Sequence, residues 1–385
     1  MPCLLGDFAS PRRLGEPAAL ISLQMKDTVG IGIIGAGFAR TTQIPGFKNC
    51  EGARGVVIAS AHRGHAEEVA REFGIAHVAD DWRGVIERDD VDLVSIITPV
   101  VTHYEMTMAA LEAGKHVLCE KPMAMNAGEA RQMMERAREK GVLALIDHEL
   151  RFLPGRQKAA ELIRRGDVGE LWHAHCLFRS GQRADPNRPW NWWSDVKQGG
   201  GALGAIGSHI VDAFRWLLNT EVSEVFGQLS THVPKRKDHS GVVREVTTDD
   251  EASLLLKFKG DSSAATGNAS LSMVQAGESA HVVEIFGSEG AVKVDGNGYV
   301  WLAQTGDTEW TSIEIDRGHL APGMAEGGWS RGFTTFSKKI VDALREGRTT
   351  VDGAATFEDG YRTQLVLDAA RRSSESGSWE KIEQQ

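Results

Sequence analysis

Short apolar segments alternate with helical segments over the first part of this chain, and this alternation constrains the fold more than any other feature. Segments typical of strands lie at residues 29–34, 56–59, 77–78, 91–97, 116–119 and 142–146. Segments typical of helices, each followed by the glycine that often ends a helix, lie at residues 65–73, 103–113 and 127–140. The alternation predicts an α/β fold over residues 28–150, with an open, doubly wound parallel sheet and helices on both faces.

The pattern changes after about residue 150. Helices are predicted at residues 155–165, 207–218, 331–346 and 357–373, and strands at residues 170–178, 222–230, 251–258, 263–272, 281–287 and 291–294. These strands alternate polar and apolar residues, as in an antiparallel sheet with one covered face. We therefore expect an α+β domain over residues 151–385, with an open, mostly antiparallel sheet and C-terminal helices that can pack back on the first domain. Residues 1–27 are expected to be disordered or an extension.

Composition and charge limit the classes of protein to which the chain can belong. Its 385 residues are 41% hydrophobic and 25% charged, which is ordinary for a globular protein of two or three domains. The net charge of −10 argues against nucleic-acid and anionic-membrane partners, which need clustered cations. No apolar run approaches the roughly 18 residues that span a bilayer. The four cysteines are scattered without CxxC spacing, so we expect a cytoplasmic protein without disulfides or a metal site.

A glycine-rich turn follows the first strand. Gly35 permits a tight bend, and Gly37 lets a pyrophosphate approach the backbone N–H groups of the helix that begins with Phe38, Ala39 and Arg40. This arrangement predicts dinucleotide binding. Arg40 stands where the third glycine of the motif is usual, so it must leave the contact between helix and sheet, from where it can reach the phosphates. The alternative is a structural turn with no ligand.

The end of the second strand bears on the choice of cofactor. NAD-binding proteins usually have Asp or Glu there to hold the ribose 2′-hydroxyl. This chain has Ser60, Ala61, His62 and Arg63 instead. Without a carboxylate to repel a 2′-phosphate, and with a cation nearby, the sequence favours NADP, with NAD as the alternative. Arg63 is otherwise a solvated surface charge.

Three further positions lie where parallel strands end, which is the edge at which such sheets bind ligands. Thr98 and Pro99 end the fourth strand, and His103 opens the next helix. Cofactor contact is expected for all three, although capping or packing explains them equally well.

Lys121 follows the fifth strand, in the segment from Cys119 to Pro122. Pro122 restricts Lys121 to extended backbone, so its side chain leaves the strand in a defined direction. A lysine here is expected to face whatever the glycine-rich turn holds, beside the reacting ring of a nicotinamide. The alternative is a surface ion pair with Glu120.

A second glycine-rich cluster covers residues 199–212. Its glycines let a loop approach a ligand closely, and His209 and Asp212 are three apart at a helix start, so they can share a face. The carboxylate can then orient the imidazole as a general base. A His–Asp metal site lacks a third ligand with convincing spacing. Trp192 and Trp193, in a polar loop before this cluster, suit stacking on sugar rings, and an interface or core role is the alternative.

Together these segments resemble the Gfo/Idh/MocA family, the glucose–fructose oxidoreductase and inositol dehydrogenase type of enzyme. The resemblance rests on Ile33 to Phe38, Thr98-Pro99 with His103, Ala113 to Pro122, Arg151-Phe152, the triple glycine with Gly207 and His209, and Phe357 to Gly360. It implies an N-terminal Rossmann domain and a C-terminal domain whose sheet forms a homodimer or homotetramer. It also implies reversible oxidation of a sugar or cyclitol hydroxyl, with hydride transfer to C4 of the nicotinamide.

By this resemblance Lys121 and His209 are the catalytic pair. The family's usual carboxylate, four residues before the histidine, is Ala205 here. We hypothesise that Glu149 or Asp212 supplies the missing carboxylate. The substrate is expected to contact Arg151, Trp192, Trp193 and His209, and the cofactor is expected to contact Glu120 and Lys121 as well as the residues named above.

The sequence therefore predicts a dehydrogenase or reductase that acts on CH–OH groups of a sugar or polyol with NADP. One alternative is a glycoside-cleaving or eliminating enzyme that retains and recycles its NAD(P). Another is a non-catalytic nucleotide sensor, favoured only by the loss of a carboxylate at position 205.

Overall fold

A computed structural model describes residues 26–260 and 265–383. Its N-terminal sheet contains β1 (Val29–Ile34), β2 (Ala53–Ala59), β3 (His77–Val78), β4 (Leu93–Ile96), β5 (His116–Cys119) and β6 (Ala144–Ile146). These strands are all parallel, in the order β3-β2-β1-β4-β5-β6. Every residue of β1 and β4 is buried, because helices cover both faces of the sheet. The strand order reverses between β1 and β4, so a crevice opens at their carboxyl ends.

Helices connect the strands as the sequence predicts. They are α1 (Ile44–Lys48), α2 (Arg63–Phe73), α3 (Arg83–Ile86), α4 (His103–Glu112) and α5 (Ala127–Lys140). Gly74 and Gly141 end α2 and α5 in the left-handed conformation, which costs a glycine no steric strain. A wider π-helical turn, Ala39–Gln43, precedes α1 and aims Gln43 into the protein interior.

The C-terminal part contains α6 (Pro154–Arg165), α7 (Ser208–Leu218), α8 (Gly328–Arg345) and α9 (Phe357–Ser376). Its strands are β7 (Leu171–Arg179), β8 (Val222–Ser230), β9 (Lys235–Lys237), β10 (Val243–Glu245), β11 (Glu251–Phe258), β12 (Thr266–Ser272), β13 (Ala280–Gly287), β14 (Gly290–Asp295), β15 (Val300–Gln304), β16 (Thr311–Ile313) and β17 (Glu380–Lys381). Within the described residues, nine of these form one sheet in the order β16-β15-β14-β13-β7-β12-β11-β8-β17, and β9 and β10 form a separate hairpin. Neighbours in the large sheet are antiparallel except β7 and β12, which are parallel.

The fold class is confirmed: a parallel Rossmann-like sheet is followed by a mixed, mostly antiparallel sheet. Sequence analysis missed the five short strands β9, β10, β15, β16 and β17, and it did not predict that β7 and β12 run parallel. Residues 263–264 of one predicted strand, and residues 1–25 of the predicted extension, lie outside the described residues.

The last two long helices join the two sheets. Phe333 and Phe336 of α8 pack on Phe47 after β1 and on Phe152, with ring centroids 4.6–5.4 Å apart. Helix α9 lies between α5 and strand β8, and its apolar residues belong to the cores of both parts. This packing holds α7 and the loop before it against the carboxyl edge of the N-terminal sheet. No helix within residues 26–260 and 265–383 is both long and apolar enough to cross a membrane.

Candidate active site

The glycine-rich turn opens onto a cavity. Gly35 has a φ of +114°, and a Cβ atom there would lie 2.0 Å from the carbonyl oxygen of Ile97, so only glycine fits between β1 and β4. A Cβ atom on Gly37 would meet no atom within 4 Å, because that residue faces open space. The turn therefore leaves its backbone free for a ligand at the start of the following helix.

This central cavity has a volume of about 500 Å³ and lies between the two parts of the molecule. From the N-terminal part it is lined by Gly35 to Phe38, Ser60 to His62, Ile97 to Val100 and Glu120 to Pro122. From the C-terminal part it is lined by Trp192, Trp193, Gly199 and Ala205. An elongated ligand held by the glycine-rich turn therefore reaches residues from both parts.

Lys121 is half-buried in the wall of this cavity, directly after β5. Its ammonium Nζ donates to the backbone carbonyl oxygen of Ala205 over 3.3 Å, and the Lys121–Pro122 peptide bond is cis. Lys121 thus spans from the N-terminal sheet to the segment that leads into α7. Its positive charge also acts on the buried groups behind the cavity, which include His148, Glu149 and His209.

Buried acids surround the base of Lys121. The side-chain amide of Gln43 donates to Glu120 Oε1 over 3.0 Å and to Asp147 Oδ2 over 2.7 Å. Burial raises the pKa of Glu120, and burial together with the charges of Glu149 and Glu120 raises the pKa of Asp147 well above its usual value. Neighbouring buried acids of this kind stay partly protonated at neutral pH. The negative charge that Glu120, Asp147 and Glu149 place near Lys121 is therefore smaller than that of three ionised carboxylates.

Glu149 lies behind this group and is 1% exposed. Burial, and then the charge of Glu120, raises the pKa of Glu149 to about 8. Its Oε2 atom finds no hydrogen-bond partner among the described residues. The raised pKa favours the protonated form of Glu149 at neutral pH.

His209 is the second residue of α7 and is buried, with 2% of its surface exposed. Burial, followed by the charges of Lys121, His148, Arg156 and His281, lowers its pKa well below 6.5. The imidazole is thus neutral at physiological pH. Its Nε2 atom has no hydrogen-bond partner in the described part of the chain, and the ring of Trp329 lies against it with centroids 4.6 Å apart.

The partner of His209 within the protein is His148. Their Nδ1 atoms are 3.3 Å apart, and their rings meet edge to face with centroids 5.0 Å apart. Burial lowers the pKa of His148 to about 4, so this ring is also neutral at physiological pH. The structure therefore joins the end of β6 to the start of α7 through two imidazoles.

Asp212 does not contact His209 as the sequence suggested. Its two oxygens accept from Arg151 Nε over 2.9 Å and Arg151 Nη2 over 2.6 Å, and Arg151 also donates to Asp359 over 3.0 Å. Burial is the largest single influence and would raise the pKa of Asp212, but the charges of Arg151 and His148 and the hydrogen bonds from Arg151 together lower it. Arg151 is 5% exposed and is already paired with two carboxylates, so its guanidinium is not accessible to a substrate.

Four predicted cofactor contacts lie away from the cavity. Ala39 is fully buried under the helix, and the Nδ1 and Nε2 atoms of His103 lie 3.1 and 2.9 Å from the carbonyl oxygens of Pro122 and Thr98 inside the protein. Arg40 turns toward α2 and pairs with Glu68 and Glu72, and Arg63 pairs with Glu67 and Asp80. The other predicted cofactor residues, Gly35, Gly37, Phe38, Ser60, His62, Thr98, Pro99, Glu120 and Lys121, all line the cavity.

The tryptophan loop faces the same cavity. Trp192 and Trp193 both line it, Trp192 is 36% exposed, and the guanidinium of Arg183 lies 3.9 Å from the ring centroid of Trp193. The cation holds the Trp193 indole in place and leaves Trp192 freer to contact a ligand.

Sequence analysis missed Gln43, Asp147, His148, Arg156, His281 and Trp329. Asp147 and His148 follow β6 at the ligand-binding edge of the sheet, so their position alone was a usable signal. Trp329 lies 120 residues beyond His209, and no local pattern connects the two. Among the described residues, no group of three or more His, Cys, Asp or Glu side chains is placed to hold a metal ion.

Comparison with protein-family models identifies both parts of the chain. Residues 29–148 match the oxidoreductase family model with an NAD-binding Rossmann fold, and residues 156–293 match the GFO/IDH/MocA C-terminal domain. The chain belongs to the GFO/IDH/MocA family. It is accordingly an NAD(P)-binding oxidoreductase, as the Lys121 segment and the glycine-rich turn suggested.

Individual members of the family are moderately similar to this chain. An uncharacterized oxidoreductase of Synechocystis sp. is 33% identical over 68% of this chain and 70% of that protein. The levoglucosan dehydrogenase of Pseudarthrobacter phenanthrenivorans is 30% identical over 85% of this chain and 89% of that protein. A structure of levoglucosan dehydrogenase with NADH and levoglucosan has a TM-score of 0.83 and 27% identity, and covers 93% of this chain and 100% of that one.

The residues that line the central cavity could hold a nicotinamide dinucleotide. The open backbone at Gly37 would provide N–H donors for a pyrophosphate, and the wall from Ser60 to His62 would leave space for the ribose next to it. The lining residues Thr98, Pro99 and Lys121 would then lie near the nicotinamide.

Proposed function

We propose that this oxidoreductase is a sugar or cyclitol dehydrogenase that prefers NADP. The observation that carries the proposal is the placement of Lys121 in the cavity wall, with the unpartnered Nε2 atom of His209 in the polar group behind it. An ammonium and a neutral imidazole are the two groups that oxidation of a hydroxyl needs: one for the developing negative charge and one for the proton.

His209 has the properties of the general base. Its lowered pKa keeps the imidazole unprotonated, and the buried Nε2 atom, which has no partner among the described residues, has a lone pair for the hydroxyl of a bound substrate. Lys121 then donates a hydrogen bond to the oxygen from which the proton leaves, and its charge stabilises the alkoxide. The bound nicotinamide accepts the hydride at C4 when the C–H bond breaks.

The surroundings of His209 suit a sugar. Trp329 covers the imidazole and also lines a second cavity, of about 550 Å³, whose walls include Arg179, Gln182 and Asn297. Indole faces pack on sugar rings, and these polar side chains can bind hydroxyl groups. The related levoglucosan dehydrogenase binds the sugar levoglucosan, which supports a substrate of this class here.

The preference for NADP rests on the end of β2. No carboxylate lines the cavity between Ser60 and His62, and Arg63 is the next residue. Arg63 pairs with Glu67 and Asp80, but these side chains are 48% and 97% exposed. Exposed ion pairs contribute only about 0–1 kcal/mol, so a 2′-phosphate can displace them.

Assembly and location are part of the same proposal. The outer face of the large sheet carries half-exposed side chains such as His175, Phe226 and Leu255, which a second copy would cover in a homodimer or homotetramer. We expect the protein to work in the cytoplasm, where its scattered cysteines stay reduced.

The experiment is a panel of sugars and cyclitols, including levoglucosan, each assayed with NAD and NADP by the absorbance of the reduced nicotinamide. We expect stoichiometric reduction of NADP with at least one sugar. Product formation without net reduction would support a glycoside-cleaving enzyme that recycles its cofactor. Tight nucleotide binding with no turnover on any compound would support a sensor and overturn the proposal.

A further inference from the structure

The catalytic histidine needs a partner that the family pattern does not provide here. Residue 205 is alanine, so no carboxylate lies one helical turn before His209. The nitrogen of His209 that faces the protein is Nδ1, and it lies 3.3 Å from Nδ1 of His148. Two neutral imidazoles can form this hydrogen bond only if one Nδ1 carries a proton and the other does not.

Asp212 decides which Nδ1 carries the proton. Its Oδ1 atom lies 4.0 Å from Nε2 of His148, on the opposite side of that ring from His209. This distance is longer than a hydrogen bond, but the pair is buried, with 2% and 3% of the side chains exposed, so water screens the carboxylate little. The negative charge favours a proton on His148 Nε2, which leaves His148 Nδ1 as the acceptor.

The carboxylate itself cannot turn away. The two hydrogen bonds from Arg151 hold Asp212 in one orientation, and Asp359 binds the same guanidinium from α9. Arg151 opposes the effect of Asp212 on His148, but Asp212 acts on that ring more strongly. The order of groups is therefore Asp212, His148 and His209, whose Nε2 atom is buried and without a hydrogen-bond partner among the described residues.

We propose that His148 is a positioning residue that takes the place of the missing carboxylate, accepting a hydrogen bond from Nδ1 of His209 and so keeping Nε2 of His209 free to accept a proton. This inference rests on the proposed function of His209 as the base. In a neutral histidine side chain free in water the proton prefers Nε2, so without His148 the reacting Nε2 atom would mostly carry a proton and could not act as a base.

The proton balance follows from this arrangement. The substrate hydroxyl gives its proton to His209 Nε2, and the ring becomes an imidazolium with protons on both nitrogens. Its Nδ1–H stays hydrogen-bonded to Nδ1 of His148, and Asp212 keeps the proton of His148 on Nε2. The positive charge on His209 is therefore stabilised without a second proton transfer. The oxidised nicotinamide takes the hydride, and the substrate carbon becomes a carbonyl.

Other charged groups also face the two rings and affect their titration. They are Lys121 after β5, Arg151 before α6, Arg156 and His281 from α6 and β13, and Asp359 from α9. Burial, together with the charges of Lys121, Arg151 and Arg156, lowers the pKa of these rings and keeps both neutral over the working pH range. The tautomer, rather than the total protonation, is therefore the quantity to measure.

The test is nitrogen-15 NMR of the full-length protein labelled on histidine, with the signals assigned by the variants H148F, H148N and H209N. We expect His209 in the native protein to carry its proton on Nδ1. In H148F, which removes the acceptor, we expect the proton to move to Nε2. In H148N the side-chain oxygen can replace Nδ1 of His148, so the Nδ1–H form should persist. A proton on Nε2 of His209 in the native protein would overturn the proposal.

Kinetics with an active sugar provide the second readout. H148F should lower kcat about 100-fold with KM changed less than threefold, while H148N should keep kcat within about tenfold. H239F is the matched control, because His239 is exposed in the turn between β9 and β10 and lines neither cavity, so its kcat should not change. If H148F and H148N lose the same amount of kcat, the role of His148 is structural and the proposal is wrong.

The two readouts separate this inference from the proposed function. The tautomer is measured without substrate, so it stands even if no sugar is oxidised. If H148F does not fold, the native protein and H148N still decide the question. An Nδ1–H tautomer in a protein with no dehydrogenase activity would support the role of His148 and reject the proposed function.

Discussion

The ammonium of Lys121 and the backbone carbonyl of Ala205 lie 3.3 Å apart, across the boundary between the two parts of the molecule. Residue 205 thus binds Lys121 through its backbone carbonyl oxygen, and its alanine side chain provides no carboxylate. Lys121 is free to exchange this weak acceptor for a substrate oxygen, since a carbonyl competes less strongly than an ion pair. In the proposed mechanism the proton of the reaction leaves through His209.

Replacing Lys121 with methionine tests the role of its charge. K121M should lower kcat by about 100-fold or more, because the alkoxide loses the one lysine or arginine that lines the cavity within the described part of the chain, and removal of one such donor usually costs this much. Turnover at saturating sugar and nucleotide is the measurement, with nucleotide affinity from a fluorescence titration. K338M is the control, since Lys338 is exposed on α8 and pairs with Asp342. A kcat within twofold of the native value would contradict the assignment.

Restoring an acid at position 205 tests the electrostatics around His209. Ala205 lines the cavity, so A205D can place a carboxylate beside Lys121 and one helical turn from His209. A nearby anion favours the imidazolium, so the pKa of His209 should rise from its lowered value. The acidic limb of kcat/KM against pH should then move up by about one pH unit. A205N carries no charge and should not move this limb; equal profiles for the two variants would refute the argument.

Burial of Glu149 predicts a specific dependence of stability on pH. Its pKa is raised to about 8, against about 4.3 in an unfolded chain. The neutral acid therefore stabilises the fold fully below pH 4, and this contribution is lost as the pH rises through 8. The free energy of unfolding should fall on the order of 2–5 kcal/mol more between pH 5 and 9 in the native protein than in E149Q.

Denaturant unfolding at several pH values measures this difference. E309Q, which changes an exposed acid between β15 and β16, should follow the native protein. Parallel curves for the native protein and E149Q would show that Glu149 does not titrate in this range. An unchanged turnover and pH–rate profile in E149Q would also remove Glu149 as the replacement for the missing carboxylate.

Arg63 is expected to set the choice of cofactor. R63A should lower the ratio of kcat/KM for NADP to that for NAD by about tenfold or more, because one charge-assisted contact with the 2′-phosphate is lost. R54A is the control, since Arg54 lies at the other end of β2 and pairs with Asp90 at the surface. If the native protein prefers NAD, and R63A has the same ratio of kcat/KM for NADP to that for NAD, the predicted preference for NADP is wrong.

The sequence predicted the N-terminal fold because apolar strand segments alternate regularly with helical segments there, so even short strands such as β3 and β6 were predicted from their place in the alternation. No such alternation guides the C-terminal part, where strands as short as β16 and β17 also show no polar–apolar period, so they were missed. The parallel pairing of β7 with β12 depends on which strands meet in space, because paired residues such as Arg179 and Ser272 are 93 positions apart along the chain.

The candidate site was predicted only in part, for a related reason. Lys121 and the glycine-rich turn carry local signals, and the structure places both in one cavity. The contact between His148 and His209 joins residues 61 positions apart, and no spacing rule connects them. Asp212 was expected to orient His209 because both lie on α7, but its carboxylate is hydrogen-bonded to Arg151, which lies before α6.

The most direct test of the central claim is a crystal structure of the protein with the reduced nucleotide and an active sugar. The account predicts that C4 of the nicotinamide lies next to the reacting carbon, with Lys121 Nζ and His209 Nε2 both within hydrogen-bond distance of the same sugar oxygen. A nicotinamide bound in the central cavity with either side chain directed away from that oxygen would contradict it.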